Sequence, residues 1–397
     1  MTLDPTAFRG LFPALGHGTF MNVAQRGLMA APVRAAIDGY LDVRMGYAWD
    51  KQGLFERTES TRARFARLIG ADSPDEVAFA KNVSDGINMI AGAVDWQPGD
   101  NVVLCPELEH PANVFPWYNV RHRHGVEVRT VAPVGGRIPV EDMLARIDAR
   151  TRLLTVPTVS FSPGFVTDVR ALSAVCRERG VFLLVDAAQS VGILHTDVRD
   201  LGVDALAVAT QKGLMACYGM GFLYCRAEAA ERLAPAALAR FGVDLPEDAH
   251  ETELVDQDFR YARGARRFDV GNYNYLGVIA AEAALALLEE IGTRTIEAHV
   301  RDLARALAVG LLDLDLPVVG GAPEPDLGHI VAVGVSGGGR HDTVDDPRMQ
   351  ALYDHLSARD VHFSVRKGVL RFSLHGYNDH ADVERVVELA SEWTGTS

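Results

Sequence analysis

The sequence predicts an α/β protein, with a mostly parallel seven-stranded sheet covered by helices on both faces and a smaller α+β domain at the C-terminal end. Short apolar runs alternate with amphipathic helical stretches over the first two thirds of the chain, as they do in parallel sheets. Beyond about residue 270, longer helical stretches follow with few strands between them. A chain of 397 residues, 48% of them hydrophobic, is also long enough for more than one domain.

The predicted strands of the first sheet are short apolar runs. VFLLV at 181–185 and ALAVA at 205–209 are apolar without interruption, which is typical of strands buried on both faces. Helical periodicity lies between several of the runs. The predicted strands are 77–80, 101–104, 126–130, 153–157, 181–185, 205–209 and 221–224, and the predicted helices between them are 86–93, 140–145 and 169–179.

The remaining stretches define the predicted domain organisation. Residues 1–45 form an N-terminal segment that joins the small domain, residues 46–270 form the large α/β domain, and residues 271–397 form the small domain. A Gly- and Pro-rich section, 317–339, interrupts the helices of the small domain. The predicted helices of this domain are 276–291, 293–312, 346–359 and 380–393, and its predicted strands are 330–335 and 368–373.

Composition disfavours several classes of function. The net charge of −14 argues against a nucleic-acid partner or an anionic membrane surface. No apolar run reaches the ~18 residues that span a bilayer, and the N-terminus shows no signal-peptide pattern. The four cysteines have no CxxC spacing, so we expect no metal site, no disulfide framework and a cytoplasmic protein. His122 and His124 lie in a basic segment that we interpret as a surface turn.

Two polar side chains follow neighbouring predicted strands, at the edge where open α/β sheets bind ligands. Asp186 follows the run at 181–185, and Lys212 follows the run at 205–209. Taken alone, the two residues fit a simple ion pair at the sheet edge. They also fit a chemical role, in which the lysine forms a Schiff base and the carboxylate pairs with the cationic ring nitrogen of a cofactor. The wider pattern of the chain favours the chemical role.

The residues around this pair resemble those of a known family. LLVDAAQSVG at 183–192 and VDALAVATQKGLMACYGMGFLYC at 203–225 are similar to the core signature of class V aminotransferases, the fold-type-I pyridoxal phosphate enzymes that include cysteine desulfurases. The resemblance extends over the whole chain and implies pyridoxal 5′-phosphate as the cofactor. Four more stretches resemble family blocks in the right order: KNVSDGINMIA (81–91), ELEHPANVFPW (107–117), FDVGNYNYLG (268–277) and GVLRFSLHGYND (368–379).

The resemblance implies roles around the cofactor ring. Lys212 would form the Schiff base and move the proton at the substrate Cα. Asp186 would pair with the protonated pyridine nitrogen and so make the ring an electron sink. Gln189 would reach the ring hydroxyl, and His110 would stack on the face of the ring.

The resemblance also implies a phosphate site. The phosphate would bind the amides of Val83 and Ser84 at the start of helix 86–93, because a helix N-terminus attracts anions. Taken alone, Ser84 fits equally well as a helix N-cap. Thr210 and Gln211 would add contacts to the phosphate.

Further residues are implied at the substrate and at a partner subunit. Arg371 would bind the substrate α-carboxylate, for which its planar fork is suited; the alternative is a surface arginine on an edge strand. Asn22 and Arg26 would line the substrate entrance. Gly271 and Asn272 match a family segment that reaches the phosphate of the other subunit, which implies a homodimer with shared sites.

Three positions depart from the family pattern. Gln211 stands where relatives usually have histidine, and Phe161 stands where desulfurases carry an asparagine that holds the ring hydroxyl. Gln189 or Ser160 would have to supply that contact instead. Desulfurases also carry a nucleophilic cysteine ahead of the carboxylate-binding arginine, whereas residues 352–367 contain no cysteine. A persulfide-forming desulfurase is therefore disfavoured.

The functional expectation is a pyridoxal phosphate enzyme that removes the Cα proton of an amino acid, either as a transaminase or as a C–S lyase. An epimerase similar to isopenicillin-N epimerase is the alternative. From another class, the alternative is a non-catalytic binding module with this fold, but Lys212, Asp186 and Arg371 are all intact. A nicotinamide-dependent Rossmann enzyme is excluded because no G-x-G-x-x-G follows a predicted strand near the N-terminus.

Overall fold

The computed structural model describes residues 4–47, 50–245 and 258–396. The strands, in chain order, are β1 (Thr19–Phe20), β2 (Val77–Ala80), β3 (Asn101–Leu104), β4 (Glu127–Thr130), β5 (Thr151–Pro157), β6 (Phe182–Asp186), β7 (Ala205–Ala209), β8 (Gly221–Cys225), β9 (Ile330–Gly334), β10 (Val361–His362), β11 (Ser364–Arg366) and β12 (Val369–Ser373). The helices are α1 (Pro5–Arg9), α2 (Ala31–Met45), α3 (Lys51–Leu68), α4 (Val83–Ala93), α5 (Phe115–His124), α6 (Val140–Ala145), α7 (Val169–Arg179), α8 (Val198–Leu201), α9 (Ala227–Ala230), α10 (Tyr275–Ile291), α11 (Thr293–Leu312), α12 (Pro347–Ser357) and α13 (His380–Thr396). Short 3₁₀ turns join some of them.

The central element is a seven-stranded sheet with the order β2-β8-β7-β6-β5-β3-β4. The pairs from β4 through β3, β5 and β6 to β7 are parallel, and β8 pairs antiparallel with both β7 and β2. The predicted fold class is therefore confirmed. Each predicted strand of this sheet is present, with bounds within two residues of those expected.

Apolar cores on both faces of the sheet explain the uninterrupted apolar runs. In β6, Leu183 and Val185 belong to one core, whereas Phe182 and Leu184 belong to the core on the opposite face. Alternate side chains of a strand point to opposite faces, so a strand covered on both sides needs apolar residues at every position. Helix α4 packs closely on β7, where a Cβ at Gly86 would lie only 3.1 Å from that of Ala207.

Helices α2, α3 and α5 were not predicted. The buried positions of α3 follow helical spacing, but several of them are polar: Thr58, Thr61 and Arg62. The Arg62 guanidinium bonds to the Asp269 carboxylate at 2.9 Å, and both side chains are buried. This ion pair replaces the apolar contact that a periodicity search looks for. His122 and His124, expected in a turn, lie in the last turn of α5, where basic residues favour the helix terminus.

A second, antiparallel sheet has the order β11-β12-β9. Its apolar face forms a separate core with α11, α12 and α13. The N-terminal segment joins this region, because β1 pairs parallel with β10. The predicted domain bounds remain a prediction.

Helix α10 lies against the large sheet's helices, not on the second sheet. It packs on α2 and α3, and Val278, Leu285 and Leu288 enter the core beneath the large sheet. Within the described ranges, none of the helices is both long enough and apolar enough to cross a membrane.

Candidate active site

A cavity of about 190 Å³ opens at the carboxyl ends of β5, β6 and β7, facing the N-terminus of α4. This is the edge at which open α/β sheets bind ligands. The structure brings most of the predicted cofactor residues together here. The predicted residues that line the cavity are Val83, Ser84, His110, Phe161, Asp186, Gln189, Gln211 and Lys212.

Asp186 is a buried carboxylate with a single hydrogen bond from the chain. The Ala188 amide donates to Oδ1 at 2.9 Å, and no ion pair forms with any other described residue. Burial raises the pKa of Asp186, while the Ala188 bond and the Lys212 charge oppose that rise. A buried anion this poorly compensated favours a cationic ligand beside it.

Lys212 lines the same cavity as Asp186, and its backbone belongs to a turn that several other segments contact. Burial lowers its pKa to about 8, and the positive charges of Arg371 and Arg366 add to the effect against the opposing Asp186. Roughly a tenth of the amine is therefore neutral at pH 7, far more than for an exposed lysine, and the neutral amine is the nucleophile.

Residues from the N-terminal and C-terminal parts of the chain bond to the lysine turn, residues 211–213. The Gly27 amide donates to the Gln211 carbonyl at 2.7 Å, and a Cβ at Gly27 would collide with the Lys212 carbonyl oxygen. On the other side, His375 Nε2 donates to the Gly213 carbonyl at 2.9 Å. The Gly376 amide donates to His375 Nδ1, which fixes the neutral tautomer with its proton on Nε2. These contacts fix the backbone of the turn from which the Lys212 side chain projects.

His110 and Phe161 form one wall of the cavity. Their rings meet edge to face, with centroids 5.7 Å apart, as aromatic rings prefer. Partial burial and the cations Lys212, Arg366 and Arg371 lower the pKa of His110 to about 4. Its ring is therefore neutral at neutral pH and can lie against an aromatic cofactor.

The N-terminus of α4 offers two amides to the cavity. The helix is capped by the Asn82 side chain, which accepts from the Asp85 amide at 2.9 Å, so the N-cap interpretation of Ser84 is wrong. The amides of Val83 and Ser84 form no hydrogen bond with another described residue. Free amides at a helix N-terminus bind anions such as phosphate.

Arg371 is almost completely buried on β12, with 1% of its surface exposed. Its Nε donates to Ser364 Oγ at 3.0 Å, and one terminal nitrogen donates to the Phe161 carbonyl at 2.5 Å. The other terminal nitrogen makes no hydrogen bond with a described residue. Burial and the neighbouring Arg366 lower the pKa of Arg371, so an anion here would relieve unfavourable charge.

Gln189 and Ser160 differ in their capacity to replace the family asparagine. Gln189 lines the cavity, and while its Nε2 donates to the Ala24 carbonyl at 3.0 Å, its Oε1 has no partner. Ser160 does not line the cavity, and its hydroxyl accepts from the Gly164 amide. Of these two residues, Gln189 is the one placed to contact a ring hydroxyl.

Thr210 is not placed as expected. Its hydroxyl donates to the Cys217 carbonyl at 2.6 Å and lies 3.1 Å from the Met220 carbonyl, and Thr210 does not line the cavity. The residue closes the lysine turn internally, and its hydroxyl is not available to a phosphate.

Five other predicted residues are not among those that line the cavity, although one of them, Arg371, bonds to the carbonyl of the lining residue Phe161. Gly271 and Asn272 line a separate surface depression with Lys81 and Asp85. Asn22 donates to the Gln25 side chain, and Arg26 is exposed. The segment that carries Asn22 and Arg26 nevertheless borders the site, because the Gly27 amide donates to the Gln211 carbonyl and the Ala24 carbonyl accepts from Gln189 Nε2.

Two buried groups near the site were not predicted. Glu109 precedes His110 and is 1% exposed; Asn113 donates to its Oε1 at 2.8 Å, and its Oε2 has no partner. Burial and the charge of Asp186 raise the pKa of Glu109 well above its usual range. His329 is fully buried, and neither ring nitrogen has a partner among the described residues. No local pattern marks either residue, because burial is set by distant segments.

His329 should make the protein acid-sensitive. Burial and nearby cations lower its pKa to about 3, below the ~6.5 of an unfolded histidine. Below pH 6.5 the unfolded chain therefore binds a proton at His329, whereas the native state does not. The free energy of unfolding falls as the pH drops from 6.5 toward the pKa of the folded state. Between pH 7.5 and pH 5, the free energy of unfolding of the cofactor-free protein, measured in urea, should fall by about 2 kcal/mol less in His329→Leu than in the parent. Equal losses in both proteins would contradict this role.

The sequence matches one protein-family model and several known proteins over most of its length. Residues 43–386 match the family model described as Aminotransferase class-V. The chain is 31% identical over 386 residues to the uncharacterized aminotransferase YcbU of Bacillus subtilis, covering 97% of this chain and 96% of that protein. It is 32% identical over 349 residues to a probable cysteine desulfurase of Methanothermobacter thermautotrophicus, covering 85% and 84%.

Solved structures show the same fold. The chain superposes on the apo structure of a cysteine desulfurase from Thermococcus onnurineus with a TM-score of 0.85 and 24% identity, over 100% of both chains. It also superposes on the cystine C–S lyase C-DES in complex with its product cysteine persulfide, with a TM-score of 0.82 and 22% identity, over 96% of this chain and 99% of that one. At these identities the likeness establishes the architecture and leaves the reaction open.

Proposed function

Because the chain belongs to the class-V aminotransferase family, we propose that it is a pyridoxal 5′-phosphate-dependent enzyme that removes the Cα proton of an amino-acid substrate. The observation that carries this proposal is the placement of Lys212 and Asp186 on one cavity at the sheet edge. A lysine with a lowered pKa and a buried, unpaired carboxylate are the two groups that this cofactor needs from a protein.

The residues of the cavity fit the cofactor group by group. Asp186 has no cationic partner at bonding distance, and a protonated ring nitrogen would supply one. The free amides of Val83 and Ser84 suit the phosphate, and Gln189 Oε1 suits the ring hydroxyl. His110 offers a neutral ring to stack on the cofactor face.

Roles in the reaction follow from these positions. The bound cofactor supplies an electron sink for negative charge at the substrate Cα. The amine of Lys212 holds and moves the Cα proton, because burial lowers its pKa to about 8, close to neutral pH. The free terminal nitrogen of Arg371 binds the substrate α-carboxylate and sets the position of Cα relative to Lys212.

A persulfide-forming desulfurase remains disfavoured. β11 and β12 are joined by the two-residue turn Lys367–Gly368, so no cysteine-bearing loop extends ahead of Arg371. Burial raises the pKa of Cys105 and of Cys176 to about 12, and it raises that of Cys217 and of Cys225 as well. Thiols held in this protonated form are poor nucleophiles.

Assembly and location belong to the same proposal. Gly271 and Asn272 lie at the surface, away from their own cavity, which supports a homodimer in which they reach the partner's site. All four cysteines are free thiols, which supports a cytoplasmic location.

The reaction outcome is best tested with the cofactor-loaded protein and a panel of amino acids. Pyruvate formed from S-substituted cysteines without an amino acceptor indicates a C–S lyase. A keto acid that appears only with an amino acceptor indicates a transaminase, and Cα deuterium exchange with racemisation indicates the epimerase alternative. We expect one of the first two products. A protein that takes up cofactor but exchanges no Cα proton from any amino acid would be a binding module, and the proposal would fail.

A further inference from the structure

Two further cations, Arg366 and Lys367, lie at the turn between β11 and β12, the strand that carries Arg371. In the hairpin, Ser364 pairs with Arg371 and Arg366 pairs with Val369. Residues two apart on a strand share a face, so the side chain of Arg366 starts on the same face as that of Arg371. Lys367 has a φ of +48°, a conformation that is uncommon for a residue with a side chain.

A glycine-rich loop holds this turn in place. The Gly337 amide donates to the Lys367 carbonyl at 2.7 Å, and the Lys367 amide donates to the His341 carbonyl at 3.3 Å. The Gly368 amide donates to the Thr343 carbonyl at 3.1 Å. The unusual backbone of Lys367 is therefore fixed by three bonds, and its side chain projects in a set direction.

That direction is toward the cavity wall. Lys367 Nζ lies 4.9 Å from the centroid of the Phe161 ring and donates to the Glu107 carbonyl at 2.7 Å. The Phe161 ring lines the cavity, and its carbonyl accepts from Arg371. Phe161 thus sits between the two cations, and Lys367 marks the outer rim of the site.

Neither turn cation is neutralised by the part of the chain that the structure describes. Arg366 and Lys367 are both half-buried, and neither forms an ion pair with a described carboxylate. Arg366 makes one hydrogen bond, to the carbonyl of Val365. The nearest acids that act on them, Asp342 and Glu107, do so only through space. Burial lowers the pKa of both side chains, which an anion would reverse.

The number of cations exceeds the number of anions that the proposed reaction supplies there. An α-carboxylate satisfies Arg371, and the cofactor phosphate binds at the other end of the cavity, on α4. We propose that Arg366 and Lys367 form a second anion subsite, and that the substrate is an amino acid whose side chain carries an anionic group. This inference rests on the proposed function and narrows its substrate class to acidic amino acids, with a carboxylate, sulfonate or phosphate at the distal end.

The test compares matched amino acids on the cofactor-loaded protein, with dissociation constants taken from the change in cofactor absorbance. The pairs are L-aspartate and L-asparagine, L-glutamate and L-glutamine, and O-phospho-L-serine and L-serine, with L-cysteate as the sulfonate. We expect at least one anionic member to bind about tenfold or more tightly than its neutral partner. Which anion shows the largest ratio identifies the distal group.

Two variants test whether Arg366 and Lys367 cause the preference for anionic amino acids. In Arg366→Gln and Lys367→Met, the ratio of the two dissociation constants should fall toward 1. Arg371→Lys is the matched control, because it should weaken both members of a pair alike and leave the ratio intact. Unchanged thermal midpoints and cofactor spectra would show that the variants fold.

Two outcomes would contradict the proposal that Arg366 and Lys367 form an anion subsite. One is equal binding of the anionic and neutral members of every pair. The other is a preference that survives in the Arg366→Gln, Lys367→Met double variant. Failure of the proposed function looks different, because then no amino acid of either kind would change the cofactor absorbance.

Discussion

Replacing Lys212 with alanine should abolish the covalent attachment of the cofactor and reduce turnover by at least about a thousandfold. The chain has only four lysines, Lys51, Lys81, Lys212 and Lys367, and of these only Lys212 lines the cavity. The variant loses both the nucleophile that holds the cofactor and the base at the substrate Cα, and each such role contributes a hundredfold or more. The purified parent should be yellow, and the variant should lose the absorbance of the lysine-bound form.

Because the chain has only four lysines, the lysine that carries the cofactor can be identified directly. Borohydride reduction of the loaded parent, followed by peptide mass mapping, should place the cofactor on the peptide that contains Lys212. Lys51→Ala, in the first turn of α3, is the matched control and should keep the yellow colour and the modified peptide. A cofactor found on any other lysine, or a Lys212→Ala variant with the parent's turnover, would refute the assignment.

Replacing Asp186 with asparagine should reduce turnover by at least about a hundredfold. Asparagine keeps the shape of the side chain but removes the negative charge that would face the ring nitrogen. Electrostatic groups of this kind, preorganised in a site that excludes water, contribute about a hundredfold to a thousandfold each. The free energy of unfolding of the cofactor-free protein should not fall, because the lost carboxylate is buried with a single hydrogen bond.

Glu109→Gln is the matched control for Asp186→Asn. Both changes replace a buried carboxyl group by an amide of the same shape. Glu109, however, does not line the cavity, and burial and the charge of Asp186 raise its pKa well above the usual range, which favours the neutral form that glutamine resembles. We expect a loss of less than about tenfold. Steady-state rates and cofactor dissociation constants, measured side by side, give the comparison. Turnover in Asp186→Asn within threefold of the parent would show that the carboxylate has no electrostatic role.

The strands of the large sheet could be predicted because burial on both faces makes every residue of a strand apolar. β6 and β7 are the clearest examples, since each residue before Asp186 and throughout β7 is buried. The ligand edge follows from strand polarity, because the carboxyl ends of parallel strands meet at one edge of the sheet. Asp186 and Lys212 could therefore be predicted as neighbours from their positions after two adjacent apolar runs.

The unpredicted features share a physical origin in contacts of the folded chain that local sequence patterns do not show. Helix α3 was missed because Arg62 is buried by pairing with Asp269, more than 200 positions away. Thr210 looks like a phosphate ligand locally, but its hydroxyl is bound to the carbonyls of Cys217 and Met220. Glu109 looks like an ordinary surface acid until the sheet buries it. In each case the partner that decides the role lies outside the residue's immediate sequence neighbourhood.

The hydrogen bonds that hold the lysine turn come from residues made early and late in synthesis, so the site is completed only after both have been made. The turn depends on Gly27 near the start of the chain and on His375 near its end, 162 positions beyond Gly213. All seven strands of the large sheet lie before residue 226, yet the lysine turn also depends on His375, which is made about 150 residues later. Polypeptides truncated before β12 lack the bond from His375 to the lysine turn, and we expect them to retain the cofactor less well than the full chain in absorbance measurements after gel filtration.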